Sequence, residues 1–139
     1  MRRSRRLLYL LALLLVIGLG LSSRSIAVGW YVWDKSLGDA FYAVAVYLGL
    51  RVLAPQLAPR WPALAAVVFC LGIELFKFTG LPAAWAGWWW SRLVFGTTPS
   101  WHNVICYVVG VALVASADAA MCRAASGTAA ARDRRLGPL

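Results

Sequence analysis

The sequence predicts an all-α fold: an integral membrane bundle of four transmembrane helices with a short Trp-rich interfacial or re-entrant segment. Composition is the first ground. Of 139 residues 62% are hydrophobic and 14% charged, where soluble domains run near half and a quarter. The second ground is distribution, because the apolar residues gather into four runs. The third is that the basic residues cluster at the chain ends and between those runs. A soluble enzyme, a disordered chain and a disulfide scaffold all fit this composition poorly.

The first run is Leu7 to Leu21, preceded by Arg2, Arg3, Arg5 and Arg6. A charged start and a short apolar core also describe a signal peptide. No A-x-A cleavage pattern follows, so the expectation is a retained anchor. The second run, Leu37 to Ala54, is opened by Gly38 and Asp39 and closed by Arg51 and Pro55. The third, Trp61 to Leu81, is long enough for a hydrocarbon core of about 30 Å. The fourth is Val104 to Met121. Between the last two lies Ala83 to Phe95, with Trp85, Trp88, Trp89 and Trp90. That stretch is too short to cross and too aromatic for a plain loop, so it reads as interfacial. The domain call is a four-helix transmembrane domain over 1–122 and a basic cytoplasmic tail over 123–139. The tail's Ala, Gly, Arg, Pro and Ser content reads as disorder.

Net charge is +9, which in a soluble protein would suggest nucleic acid. Here the cations sort by side instead. With four spans and a cytoplasmic N-terminus, the inner side holds Arg2, Arg3, Arg5, Arg6, Arg51, Arg60, Arg123, Arg132, Arg134 and Arg135. The outer side holds Arg24, Lys35 and Arg92. Excess cations stay cytoplasmic, so both termini are placed there, in a cell inner membrane. The same topology puts all tryptophans but Trp61 on the outer side.

Ionisable side chains within spans cost about 2.5 to 3.5 kcal/mol each on insertion scales and call for a partner or a purpose. Glu74 and Lys77 are three apart and share a helical face. Topology brings Asp34, Lys35, Asp39, Tyr42, Glu74, Lys77, Arg92, His102, Asn103 and Tyr107 to one outward level. They form the candidate ligand-binding or structural cluster; Trp85, Trp88, Trp89 and Trp90 form the candidate docking segment. Asp118, near the inner end of the last run, is level with Arg51 and pairs with it on this reading. Cys70, Cys106 and Cys122 read as small buried hydrophobes. No catalytic residue, metal set or cofactor is assigned.

Several of these residues carry a resemblance. The stretch VWDKSLGDAFYAVAVYLGL, then Gly72-Ile73-Glu74-Leu75, Leu93-Val94-Phe95-Gly96, and Trp101-His102-Asn103 with Tyr107 and Gly110 resemble a small bacterial integral-membrane family of unknown function. That family is similar in pattern to VanZ-like proteins, and the likeness covers about residues 20 to 118. It implies a multi-span protein with a polar cluster in the outer half, and no established reaction. The family tends to have Gln after its glutamate where this chain has Lys77, and Asp where it has Asn103. A charged triad that did chemistry in relatives would be incomplete here.

The expected function is a binding or accessory role at the outer face, with assembly into a larger membrane complex as the alternative. The expected partners are the lipid bilayer, a membrane protein or second copy of the chain, and a lipid-linked or envelope ligand, without nucleic acid. The topology is tested by reporter fusions. A fusion at Leu139 should report from the cytoplasm and one at residue 98 from outside; a periplasm-active Leu139 fusion overturns the arrangement.

Overall fold

The structure, a computed structural model, describes residues 2–25, 29, 36–85, 87–88, 94–95 and 99–136, with the side chains of 2–3, 24–25 and 128–136 left aside. Everything described is helix, turn or irregular chain. The main helices are α1 (Arg2–Ser25), α2 (Gly38–Leu53), α3 (Arg60–Lys77), the single turn α4 (Leu81–Ala84) and α5 (Trp101–Leu136).

Two of the four expected spans meet the length and hydropathy of a membrane crossing: Ser4–Ser23 within α1 and Trp101–Gly127 within α5. The other two stop short for visible reasons. Helix α2 has 16 residues, about 24 Å at 1.5 Å per residue. Helix α3 has 18 residues, about 27 Å, and carries Arg60, Glu74 and Lys77. The third run was expected to reach Leu81, but the chain turns at Gly80, whose φ of 75° is in the left-handed region that glycine tolerates. Thr79 seals that turn, its hydroxyl donating to Phe76 O and accepting from Leu81 N–H.

Helix α5 is longer than the apolar run suggests. Its 36 residues extend about 54 Å and take in 123–136, which sequence composition gave to a disordered tail. The reason is propensity. Alanines and arginines are strong helix formers, and no proline interrupts them before Pro138.

Helix α2 is the hub and packs against α1, α3 and α5. Its Ala43, Tyr47 and Leu48 form the core with Tyr9, Ala66, Cys70, Tyr107 and Val111. At the crossing of α2 and α5 the backbones nearly touch. A Cβ on Gly110 would stand 2.8 Å from Ala40 O, closer than real Cβ atoms come.

The exterior is apolar. Leu7, Leu14 and Leu15 on α1, Val68 and Leu75 on α3, and Ile105 and Leu113 on α5 all face outward. Asp39, Arg51, Glu74, Lys77, Asn103 and Asp118 are buried. Charge inside and leucine outside is the reverse of a water-soluble domain.

Gly110→Ala should therefore destabilise the fold by about 1–3 kcal/mol through overpacking. Gly18→Ala, where a Cβ meets nothing within 4 Å, should be neutral or slightly stabilising. Melting temperatures of the two variants in the same detergent check this. Equal behaviour would mean that the helices do not cross at Gly110.

Candidate functional site

Two buried polar clusters stand at opposite ends of the bundle. Their members on α2, Asp39 and Arg51, are twelve residues apart, about 18 Å along the helix. Both draw on α2 and α5, with Asp39 meeting Asn103 and Arg51 meeting Asp118, so the two helices run parallel.

The first centres on Arg51, 1% exposed, and Asp118, 2% exposed. Arg51 Nε lies 2.7 Å from Asp118 Oδ2. Its N–H is not aimed at that oxygen, so this contact is ionic, and the directed bond runs from Nη2 to Oδ1 at 3.4 Å. Two tyrosines complete the carboxylate shell: Tyr9 OH donates to Oδ1 at 2.7 Å and Tyr47 OH to Oδ2 at 2.5 Å. The guanidinium also donates to Tyr9 OH at 2.6 Å and to Leu57 O at 2.6 Å. One ion pair thus ties α1, α2, α5 and the α2–α3 loop. Tyr47 and Arg51 are one turn apart on α2, so the same face supplies both. The Arg51–Asp118 pairing follows the sequence expectation. Tyr9 and Tyr47 went unassigned, although Tyr47's place one turn before Arg51 was the available signal.

The second cluster gathers Asp39 from α2, Glu74 and Lys77 from α3, and Asn103 and Tyr107 from α5. Lys77 Nζ stands 2.6 Å from Glu74 Oε2, with the residues 6% and 5% exposed. Tyr107 OH donates to the same oxygen at 3.4 Å. Glu74 Oε1 accepts from the Ser100 backbone N–H, a partner that residue types alone could not reveal. The Asn103 amide sits best when turned so that its nitrogen donates to Asp39 Oδ2 at 2.9 Å and its oxygen accepts from Lys77 Nζ at 3.3 Å. Asn103 then bridges the two acidic helices. Tyr42 reaches the cluster through its ring, 6.2 Å from that of Tyr107.

His102 is bonded instead to Ser36, 2.8 Å from Nε2, with Cys106 Sγ 3.4 Å from the same nitrogen. Ser36, in the π-helical lead into α2, carried no sequence signal. Of the remaining candidates, Asp34, Lys35 and Arg92 lie outside the described residues, as do Trp89 and Trp90. Trp85 packs with Phe76 and Phe95 at centroid distances of 6.2 and 6.4 Å, which fastens it to the C-terminal end of α3. Trp88 is exposed.

Two apolar cavities adjoin the second cluster. One, about 290 Å³, lies between α1 and α2 and is lined by Val16, Ile17, Gly20, Phe41 and Tyr42 among others. The other, about 270 Å³, lies between α3 and α5, with Leu71, Leu75, Phe78, Trp101 and Val104 around Glu74 and Ser100.

Removing one partner of the Arg51–Asp118 ion pair should be costly. Asp118→Ala strands a buried guanidinium and should destabilise by about 3–5 kcal/mol. Replacing both, Arg51→Met with Asp118→Leu, should recover part of that loss. Denaturation of the three variants in detergent checks this; a double replacement worse than the single one would count against the pair as the source.

A family model described as a protein of unknown function, DUF2809, matches residues 28–111. No curated protein and no solved structure matches the chain. The matched segment holds all of the second cluster and Arg51, while Tyr9 and Asp118 fall outside it.

Proposed function

The chain belongs to the DUF2809 family of proteins of unknown function, and on that premise we propose that it is a small multi-span inner-membrane protein that binds an amphiphile at its outer face. One observation carries this reading. The second polar cluster lies beside two apolar cavities, with Glu74 in the wall of one and Tyr42, whose ring packs on that of Tyr107, in the wall of the other. A headgroup that meets polar atoms while its chain meets hydrocarbon is the recognition an amphiphile asks for.

The membrane setting is supported by the two helices of crossing length and by the inverted exterior. Helices α2 and α3 are read as the other two spans, kept in lipid by neighbours that shield their charges. Both termini are read as cytoplasmic, with 123–139 as the basic tail. The first turns of α1 and the Asp118 level of α5 do share one end of the bundle, through Tyr9. We read the pattern as bacterial and VanZ-like, which favours an envelope lipid as the amphiphile.

A second reading, an assembly subunit docking through the aromatic segment, draws on the exposure of Trp85 at 44% and Trp88 at 64%. Purification in mild detergent with mass spectrometry separates the two. Binding predicts a co-purifying lipid that Glu74→Gln depletes while the melting temperature holds or rises, since Gln is easier to bury than a carboxylate. Assembly predicts a co-purifying protein that Trp88→Ala with Trp89→Ala releases. Unfolding of Glu74→Gln together with release of a partner by the tryptophan pair would overturn the binding reading.

A further inference from the structure

The π-helical lead into α2 carries Ser36 and the first turn of α5 carries His102, residues 66 apart whose Oγ and Nε2 stand 2.8 Å from each other. Both are half-buried. A hydroxyl within reach of an imidazole nitrogen is the arrangement in which the ring serves as its base. With the ring proton on Nδ1, the Nε2 lone pair faces Ser36. Cys106 approaches the same nitrogen from one turn along α5.

Two residues beyond Ser36, Gly38 is at the margin of the α1–α2 cavity. Gly20 lines that cavity, and a Cβ there would stand 3.4 Å from Phe41 Cβ. Its described wall is hydrocarbon and ring, suited to an alkyl chain. In a bundle with a leucine exterior, alkyl chains are the surrounding medium.

We propose that Ser36 and His102 are a nucleophile–base pair acting on the acyl ester of a lipid whose chain lies in the α1–α2 cavity. The proposal rests on the amphiphile-binding reading and adds a covalent step to it. Ser36 Oγ bonds to the ester carbonyl carbon as its proton passes to His102 Nε2. The bond from that carbon to the alkoxy oxygen then breaks, and the departing oxygen takes the proton from His102. Acyl-Ser36 and a free alcohol result. Water, deprotonated by the same nitrogen, attacks the acyl carbon, releases the carboxylic acid and restores Ser36.

The test uses the full chain in phosphatidylcholine nanodiscs, treated with a long-chain alkyl fluorophosphonate and with its ethyl counterpart, and read by peptide mass mapping. The expected adduct is on Ser36. Ser36→Ala abolishes it, and His102→Gln slows it by roughly a hundredfold or more, the share of a general base. Gly20→Leu, which fills the cavity, slows the long-chain probe far more than the ethyl one. Size-exclusion profiles of each variant confirm that it remains folded. Absence of a Ser36 adduct with both probes, an adduct on Cys106 in its place, or a His102→Gln variant as fast as the parent overturns the proposal. Lipid extracted from the same preparations separates the two claims. Lipid retained without Ser36 reactivity removes the covalent step alone, and loss of both removes the binding reading too.

Discussion

The contact on which the rest of this bundle depends is the ion pair between Arg51 and Asp118. Taking either charge out of water alone is unfavourable by several kcal/mol. Here Asp118 is met by the guanidinium and two tyrosine hydroxyls, and Arg51 by the carboxylate, the Tyr9 hydroxyl and a loop carbonyl. Because the four side chains come from three helices, the pair can be satisfied in one arrangement of those helices. Apolar side chains along α1 and α5 slide against neighbours with little preference for register, whereas a carboxylate with three directed partners does not. The ion pair therefore sets register, and the close approach at Gly110 sets the separation.

The second cluster differs from it in kind. Its members also span three helices, yet it borders two cavities, and one carboxylate, Glu74, forms part of a cavity wall. The Arg51–Asp118 cluster is enclosed and its carboxylate accepts from three side chains, as expected of a fastening. The Glu74–Lys77 cluster is paired but stands beside space, as expected of a site. The burial of charge is alike in both, so exposure alone does not tell them apart; the neighbouring volume does.

Sequence reasoning found the helical class, the approximate limits of α2 and the level at which Asp39, Glu74, Lys77, Asn103 and Tyr107 meet. It did so because charges within apolar runs stand out, and alternating helices put their levels in order. It placed the end of α3 four residues late, since nothing in the apolar pattern marks a left-handed glycine. It ended α5 early because hydropathy measures where a helix leaves lipid, not where its backbone unwinds. Ser36 and the Ser100 amide were out of reach for a different reason. A serine and a backbone N–H are everywhere in a sequence, and only the fold says which of them meets a histidine or a carboxylate.

The distance along the chain between Arg51 and Asp118 has a consequence for how the protein is made. Arg51 leaves the ribosome 67 residues ahead of its counter-ion. At roughly 5–20 residues per second, that interval lasts about 3–13 s. Throughout it α2, short and charged at both ends, must persist without α5. Tyr9, synthesised 42 residues before Arg51, is already in place to accept from the guanidinium, and the carbonyls of Pro55 and Leu57 follow within about a second. The α1–α2 hairpin thus brings its own provisional ligands for Arg51, and Asp118 arrives last to an occupied seat.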